Sequence, residues 1–414
     1  MMAPAHRTSE SERARKRVFF HVGAPKTGTT YLQNVLFENR EALAANGVLY
    51  PYEDRGQSFR SMLDFRGAGW GGSRADQFVG EWEEVARRTR DWQGDTVIIS
   101  NELLGGSAPN RIEAGIASVE PADVHVVFTA RDLARQLVSD WQEHIKHKHM
   151  VTLERFVDDL IDLGRDAPEP FGELFWGMHD AAHVLDLWSG FVPVGNIHVV
   201  TVAHPGAPSA TLWKRFCAVT GLAPDVYVTA IKRANKSMGV AETELVRRMN
   251  AEVQGMPVDV YDPLVRKLLA EDILGGRSPK LTLPTQRMAW VSQRSRQLIA
   301  ALDTAGYQIE GNLDELMPRP ADHLPHISPT TLTDADLADA AIRAATGLLR
   351  HSGRQRRRLV ELQRAAHPEP STGPETSGFR ARMVGVYWTV RGRVGHLLRR
   401  LGVRRSTQPG RRSR

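Results

Sequence analysis

The chain has 414 residues, 41% hydrophobic, 25% charged and 7% aromatic, a composition able to bury a large core. Collagen-like, wholly disordered and disulfide-scaffold architectures are excluded. The one cysteine, Cys217, excludes an internal disulfide and a multi-cysteine metal site. It fits a reducing compartment. No apolar run approaches the ~20 residues of a membrane helix, and the amino terminus has no signal-peptide core, so a cytoplasmic protein is expected. The net charge of +6 is concentrated at one end. Residues 380–414 hold eleven Arg and no acid, which leaves −5 on residues 1–379. A chain-wide nucleic-acid surface is therefore not expected, and neither is a specific nucleic-acid partner.

Taken in chain order, short β-branched or aromatic runs alternate with amphipathic stretches, the pattern of βαβ units on a parallel sheet. Strands are predicted at Val18–Val22, Thr96–Ser100, Val124–Thr129 and Ile197–Val202. Helices are predicted near Thr30–Ala45, Leu133–His147, Leu153–Leu163, Asp180–Phe191 and Ala210–Thr220, with Asn46-Gly47 stopping the first. After Pro224 the strand signals fade. Helical patterns follow at Val240–Glu252, Pro263–Ile273, Arg287–Thr304 and Thr333–Ala366. The class is α/β: a central parallel sheet flanked by helices, with helical carboxyl-terminal additions. The organisation expected is a tail over 1–16, a main domain over 17–310, a helical extension over 311–366, a Pro/Ser/Gly/Thr linker over 367–378 and a basic tail over 379–414.

The first strand runs into Gly23-Ala24-Pro25-Lys26-Thr27-Gly28-Thr29-Thr30 and then a helix with Leu32, Val35, Leu36 and Leu43 on one face. Small residues let backbone approach an anion, amides at a helix start point outward, Lys26 adds charge and the threonines add hydroxyls. The alternative is a Gly-rich turn with a solvated lysine. A Walker A loop is excluded, because it needs Lys directly after the second Gly.

The loop APKTGTT, followed by the aromatic Tyr31, resembles the 5′-phosphosulfate loop of sulfotransferases that use 3′-phosphoadenosine-5′-phosphosulfate (PAPS). The bacterial branch is the nearer. The resemblance implies a P-loop-like sulfotransferase fold, with Lys26, Thr27, Gly28, Thr29 and Thr30 holding the phosphosulfate.

In VHVVFTARDLARQLVSDWQEHIKHK a strand ends near Thr129 and Asp132 caps a helix. Leu133, Leu137, Trp141 and Ile145 form an apolar stripe, and Arg131, Arg135, Ser139, Gln142 and Lys146 line another face with donors. That polar stripe reads either as an anion site or as a solvated face. The family resemblance implies that Arg131 and Ser139 hold the donor's 3′-phosphate.

Glu102 follows the strand that ends at Ser100, which in a parallel sheet is the edge that also carries Lys26 and Arg131. A carboxylate there suits removal of an acceptor proton during sulfuryl transfer, with Lys26 neutralising the departing phosphate. Catalytic roles are thus expected for Lys26 and Glu102. Two other readings stand beside this one: Glu102 as a metal-binding acid of a kinase-like NTPase, or an exposed loop residue. His125, His144 and His147 are alternative bases. The segment RANKSMGV resembles an Asn-x-Ser element of bacterial sulfotransferases and implies nucleotide contacts from Asn235 and Ser237.

PAPS is the implied co-substrate, with no metal. The acceptor expected is a small molecule, a carbohydrate or a lipid-linked compound. Phe59, Phe65, Trp70, Phe78, Trp82 and Trp92, or Phe171, Phe175 and Trp176, are candidates to line its pocket, although aromatics in helices commonly fill cores. The tail over 379–414, with Tyr387, Trp388 and Leu397 among its arginines, suits peripheral attachment to an anionic membrane surface. Its alternative is disorder. A non-catalytic nucleotide-binding adaptor acting through that tail is the reading from a different class.

Overall fold

The computed structural model describes residues 15–70, 72–230, 237–319 and 326–366. The linker over 367–378, the basic tail, Asn235 and most of the amino-terminal tail lie outside them. The described residues up to Leu348 form one compact unit, and those from Leu349 belong to a second.

Six strands form the sheet of the first unit: β1 (Arg17–Gly23), β2 (Val48–Leu49), β3 (Thr96–Ser100), β4 (Asp123–Ala130), β5 (Ile197–Thr201) and β6 (Gln308–Glu310). Their order is β2-β3-β1-β4-β5-β6, and every pairing is parallel. β1, β3, β4 and β5 fall where apolar runs predict them. Phe19 and Phe20, Ile98 and Ile99, Val126 and Val127, and Val199 and Val200 are all buried, and since successive side chains point to opposite faces, both faces of the sheet are covered. The two edge strands, of two and three residues, have no such run to announce them.

The helices that cover the sheet begin with α1 (Thr29–Glu38) and α2 (Arg40–Ala45), where the sequence predicts one continuous helix. Asn39 divides them. Its backbone departs to φ −103 and ψ 17 while its amide still donates to the Val35 carbonyl and its carbonyl accepts from the Leu43 amide; its side chain donates to the Val35 and Val228 carbonyls and accepts from the Val228 amide. Four further helices have no counterpart in the sequence-based expectation: α3 (Gln57–Arg66), α4 (Glu81–Asp91), α5 (Pro109–Ala117) and, after α6 (Leu133–Lys146) and α7 (Leu153–Asp162), α8 (Phe171–His179). α9 (Ala181–Ser189), α10 (Thr211–Thr220) and α11 (Val240–Glu252) match the predicted stretches closely. Cys217, buried in α10, has its thiol pushed up to about 12 by burial. It is not a reactive thiolate.

Beyond α11 the described residues form, besides β6, α12 (Val258–Tyr261), a π-helix (Asp262–Ile273), α13 (Met288–Thr304) and α14 (Asp334–Ala366). The π-helix replaces a predicted α-helix. Its inward residues Val265 and Leu269, and Leu274 just past its end, fall at steps of four and five, the wider turn of i→i+5 winding. Leu133, Leu137, Trp141 and Ile145 of α6 pack into a second core with α7, α8, α11 and α13. Trp141 is fully buried, and its indole donates to the Val151 carbonyl at 2.9 Å, so it is a core residue. Glu242, also buried, receives the Gly239, Arg277 and Ser278 amides, the Ser278 hydroxyl and the Arg343 guanidinium. Burial raises its carboxyl, but these donors outweigh that effect and leave it below the ordinary carboxylate range. Among the described residues no helix is long and apolar enough to cross a membrane.

Candidate functional site

Parallel pairing in the order β3-β1-β4 sets three carboxyl-terminal strand ends side by side. Glu102 follows β3, the Gly23–Gly28 loop follows β1, and Arg131 follows β4. This is the edge where open α/β sheets bind ligands.

The loop is shaped by positive-φ residues. Gly28, at φ 96, caps α1 in the left-handed region that disfavours a side chain, and a Cβ there would stand 2.6 Å from Leu212 Cδ2, whose side chain would have to move. Lys26, at φ 62, is in the left-handed region that non-glycine residues seldom occupy, a conformation that is often retained at functional sites. The amides of Lys26, Thr27, Gly28, Thr29 and Thr30 donate to no group among the described residues. Five adjacent donors at a helix start, beside an ammonium, suit a phosphate or sulfate.

The threonines divide their work. The Thr27 hydroxyl is buried and lies 2.5 Å from both the Ala24 carbonyl and the Thr129 hydroxyl, which itself donates to the Gly23 carbonyl at 2.6 Å. Thr27 therefore braces the loop with its side chain and offers a ligand only its amide. Thr29 is buried and Thr30 exposed. Below the loop, His21 Nδ1 pairs with Ser100 Oγ at 2.8 Å and Nε2 with Thr129 Oγ1 at 3.4 Å, linking β1, β3 and β4. Burial pushes the His21 imidazole down to about 3, so it acts as a neutral bridge.

Arg131 and Ser139 come together: Arg131 Nη2 donates to Ser139 Oγ at 2.8 Å and to the Arg135 carbonyl at 2.5 Å. Asp132 caps α6 by accepting from the Arg135 amide at 2.9 Å, as predicted, and its carboxylate pairs with the Arg135 guanidinium. Two further members of the donor stripe are turned to other parts of the protein. Gln142 is buried and donates to the Met238 carbonyl and Thr243 hydroxyl on the α11 side, because α11 packs over that flank. Lys146 is buried against Glu143 at 3.2 Å.

Glu143 is the residue that sequence reasoning missed. Its carboxylate lies 2.6 Å from the Lys26 ammonium, with both side chains about a quarter exposed, and its other oxygen is 3.5 Å from His147. Burial would raise this carboxyl, but Lys26, His147 and Lys146 outweigh it and hold the group well below the ordinary carboxylate range. The available signal was spacing: Glu143 continues the steps of four through Arg131, Arg135 and Ser139.

Glu102 accepts from Gln33 of α1 at 2.7 Å and is half-buried. Two of the alternative bases are held elsewhere. His125 sits near the start of β4, ~17 Å along the strand from its carboxyl end, bonded to His198 at 3.0 Å and to Asp123. His144 is buried among Phe156, Phe171 and His149, 3.3 Å from the Asp140 carboxylate. Ser237 is exposed and its carbonyl accepts from the Gly276 amide. Among the described residues no three His, Cys, Asp or Glu side chains converge as a metal site.

Four of the nine candidate acceptor-lining aromatics, Phe65, Phe171, Phe175 and Trp176, are buried, and Phe59, Phe78, Trp82 and Trp92 are half-buried against the core, Phe65 edge-on to Trp82. Trp70 differs. It is 42% exposed and stands edge-on to both Phe59 and His147, so it borders the Glu143–Lys26 pair.

No family model and no curated protein matches the chain. Among solved structures it is similar to the crystal structure of a sulfotransferase from Alicyclobacillus acidocaldarius, with 15% identity and a TM-score of 0.36, over 61% of this chain and 96% of that one.

Proposed function

We propose that the chain transfers a sulfuryl group from PAPS to a hydroxyl or amine acceptor. The observation that carries this reading is the adjacency of two anion-binding elements, the Lys26 loop after β1 and the Arg131–Ser139 pair after β4, on neighbouring strands. A nucleotide with phosphates at both its 5′ and 3′ positions offers one anion to each.

In this mechanism the amides of residues 26–30 and Lys26 hold the phosphosulfate, while Arg131 and Ser139 hold the 3′-phosphate. The acceptor oxygen attacks sulfur in line with the bond to the 5′-phosphate oxygen. As that bond breaks, its electron pair leaves on the phosphate, where Lys26 neutralises the developing charge. Glu102 takes the acceptor proton. The products are the sulfated acceptor and adenosine 3′,5′-bisphosphate. Asn235 and Ser237 complete the nucleotide contacts, and the acceptor class we favour is a carbohydrate or glycolipid hydroxyl approaching past Trp70.

Calorimetric titration tests the donor site. Adenosine 3′,5′-bisphosphate is expected to bind without metal, more weakly to Lys26→Ala and Arg131→Ala; a preference for ATP with Mg²⁺ would overturn the reading and make Glu102 a metal ligand.

A further inference from the structure

Resting on the donor reading above, we infer that Glu143 is an internal counter-ion that occupies Lys26 in the donor-free protein and must yield it before the 5′-phosphosulfate binds. The geometry is specific. Lys26 is the only charged side chain of the loop, and it is turned onto the carboxylate of α6 at 2.6 Å. That same helix carries Ser139 one turn earlier.

The exchange leaves no bare charge behind. Glu143 keeps Lys146 at 3.2 Å and His147 at 3.5 Å when Lys26 departs, so release of the lysine does not strand a half-buried carboxylate. Lys26 in turn exchanges one carboxylate for a more highly charged anion reinforced by the loop amides. After transfer, the carboxylate competes for the ammonium again and favours departure of the bisphosphate. Glu143 is thus a positioning residue that sets donor affinity and product release. A carboxylate that only braced the fold would weaken binding when removed, whereas a competitor strengthens it.

The test is titration of adenosine 3′,5′-bisphosphate into the full chain and into Glu143→Gln, Lys26→Ala and the double variant. Glu143→Gln is expected to bind roughly threefold to tenfold more tightly than the natural protein. The gain should vanish in the Lys26→Ala background and with adenosine 3′-phosphate, which lacks the 5′ group. Unchanged or weaker binding by Glu143→Gln would overturn the inference while leaving the donor site intact. Tightening that persists without Lys26 would overturn it too, because it would reflect a general repulsive field. Failure of both the natural protein and Glu143→Gln to bind bisphosphate would remove the donor reading itself, and this inference with it. If the glutamine variant does not fold, as judged by its melting transition, Glu143→Ser makes the same comparison.

Discussion

The Arg131 guanidinium and the Ser139 hydroxyl, eight positions apart, meet at 2.8 Å. One residue leaves a strand and the other stands on the second turn of the helix that follows, so the pair is preformed. Ser139→Ala is expected to weaken adenosine 3′,5′-bisphosphate about fivefold and Arg131→Ala more than a hundredfold, by calorimetry. Adenosine 5′-phosphate should bind both variants as it binds the natural protein. Equal losses for the two nucleotides would show that the pair does not read the 3′ position.

Thr27 and Thr129 hold the loop against the sheet through buried hydroxyls. Thr129→Val keeps the shape but leaves the Thr27 hydroxyl with the Ala24 carbonyl alone and removes the hydroxyl that donates to the Gly23 carbonyl. A loss of about 2 kcal/mol in denaturant unfolding is expected, with weaker bisphosphate binding because the donor amides lose their brace. An unchanged unfolding midpoint would show that the network bears no load.

Stability should fall on mild acidification. The folded chain keeps His21 neutral down to about pH 3, whereas the unfolded chain takes up the proton below about 6.5. The folded pKa is depressed, so the contribution is complete above pH 6.5 and is lost progressively toward pH 3. His198, which burial pushes down to about 4, acts in the same direction. Unfolding free energies measured between pH 7 and 4.5, above the range of most carboxylates, should decline less steeply for His21→Asn than for the natural protein. Parallel slopes would rule out His21 as the source.

Removing the carboxylate of Glu102, the proposed base, should separate chemistry from binding. Glu102→Gln keeps the Gln33 contact in shape and is expected to hold bisphosphate within about twofold while sulfuryl transfer falls by about a hundredfold or more. The measurement is transfer from radiolabelled PAPS to acceptors found in a carbohydrate and glycolipid panel. Undiminished transfer would reassign the base.

Arg343 of α14 reaches the buried Glu242 of α11. Arg343→Ala leaves that carboxylate with its amide and hydroxyl donors but without a cation. A loss of about 2 kcal/mol in unfolding is expected, and Glu242→Gln in the same background should restore part of it. No recovery would assign the loss to packing instead of charge.

The four inner strands were legible because Val18–Val22 and its counterparts are apolar on both faces, as burial in a parallel sheet demands. The edge strands Val48–Leu49 and Gln308–Glu310 were not, because they are short enough to need no pattern of their own. Lys26 and Arg131 stood out through the residues around them. Glu143 did not, since an acid on a helix face looks the same whether it meets solvent or a lysine 117 positions away. The role of Gln142 was hidden for a similar reason: its partner, the Met238 carbonyl, belongs to a segment 96 residues later. Backbone pairing reveals itself locally, but side-chain partnership across the fold does not.

Because β1 and β4 are hydrogen-bonded neighbours, the lateral step between the Lys26 loop and Arg131 is one interstrand spacing, ~4.8 Å, set by main-chain geometry. Main-chain pairing thus fixes the spacing of the two strand ends, while the side chains that follow them set the rest of the distance. On the donor reading proposed above, the sheet acts as a coarse gauge for the separation of a ligand's two anions, and a compound with both anions at one end would meet only one of the two elements.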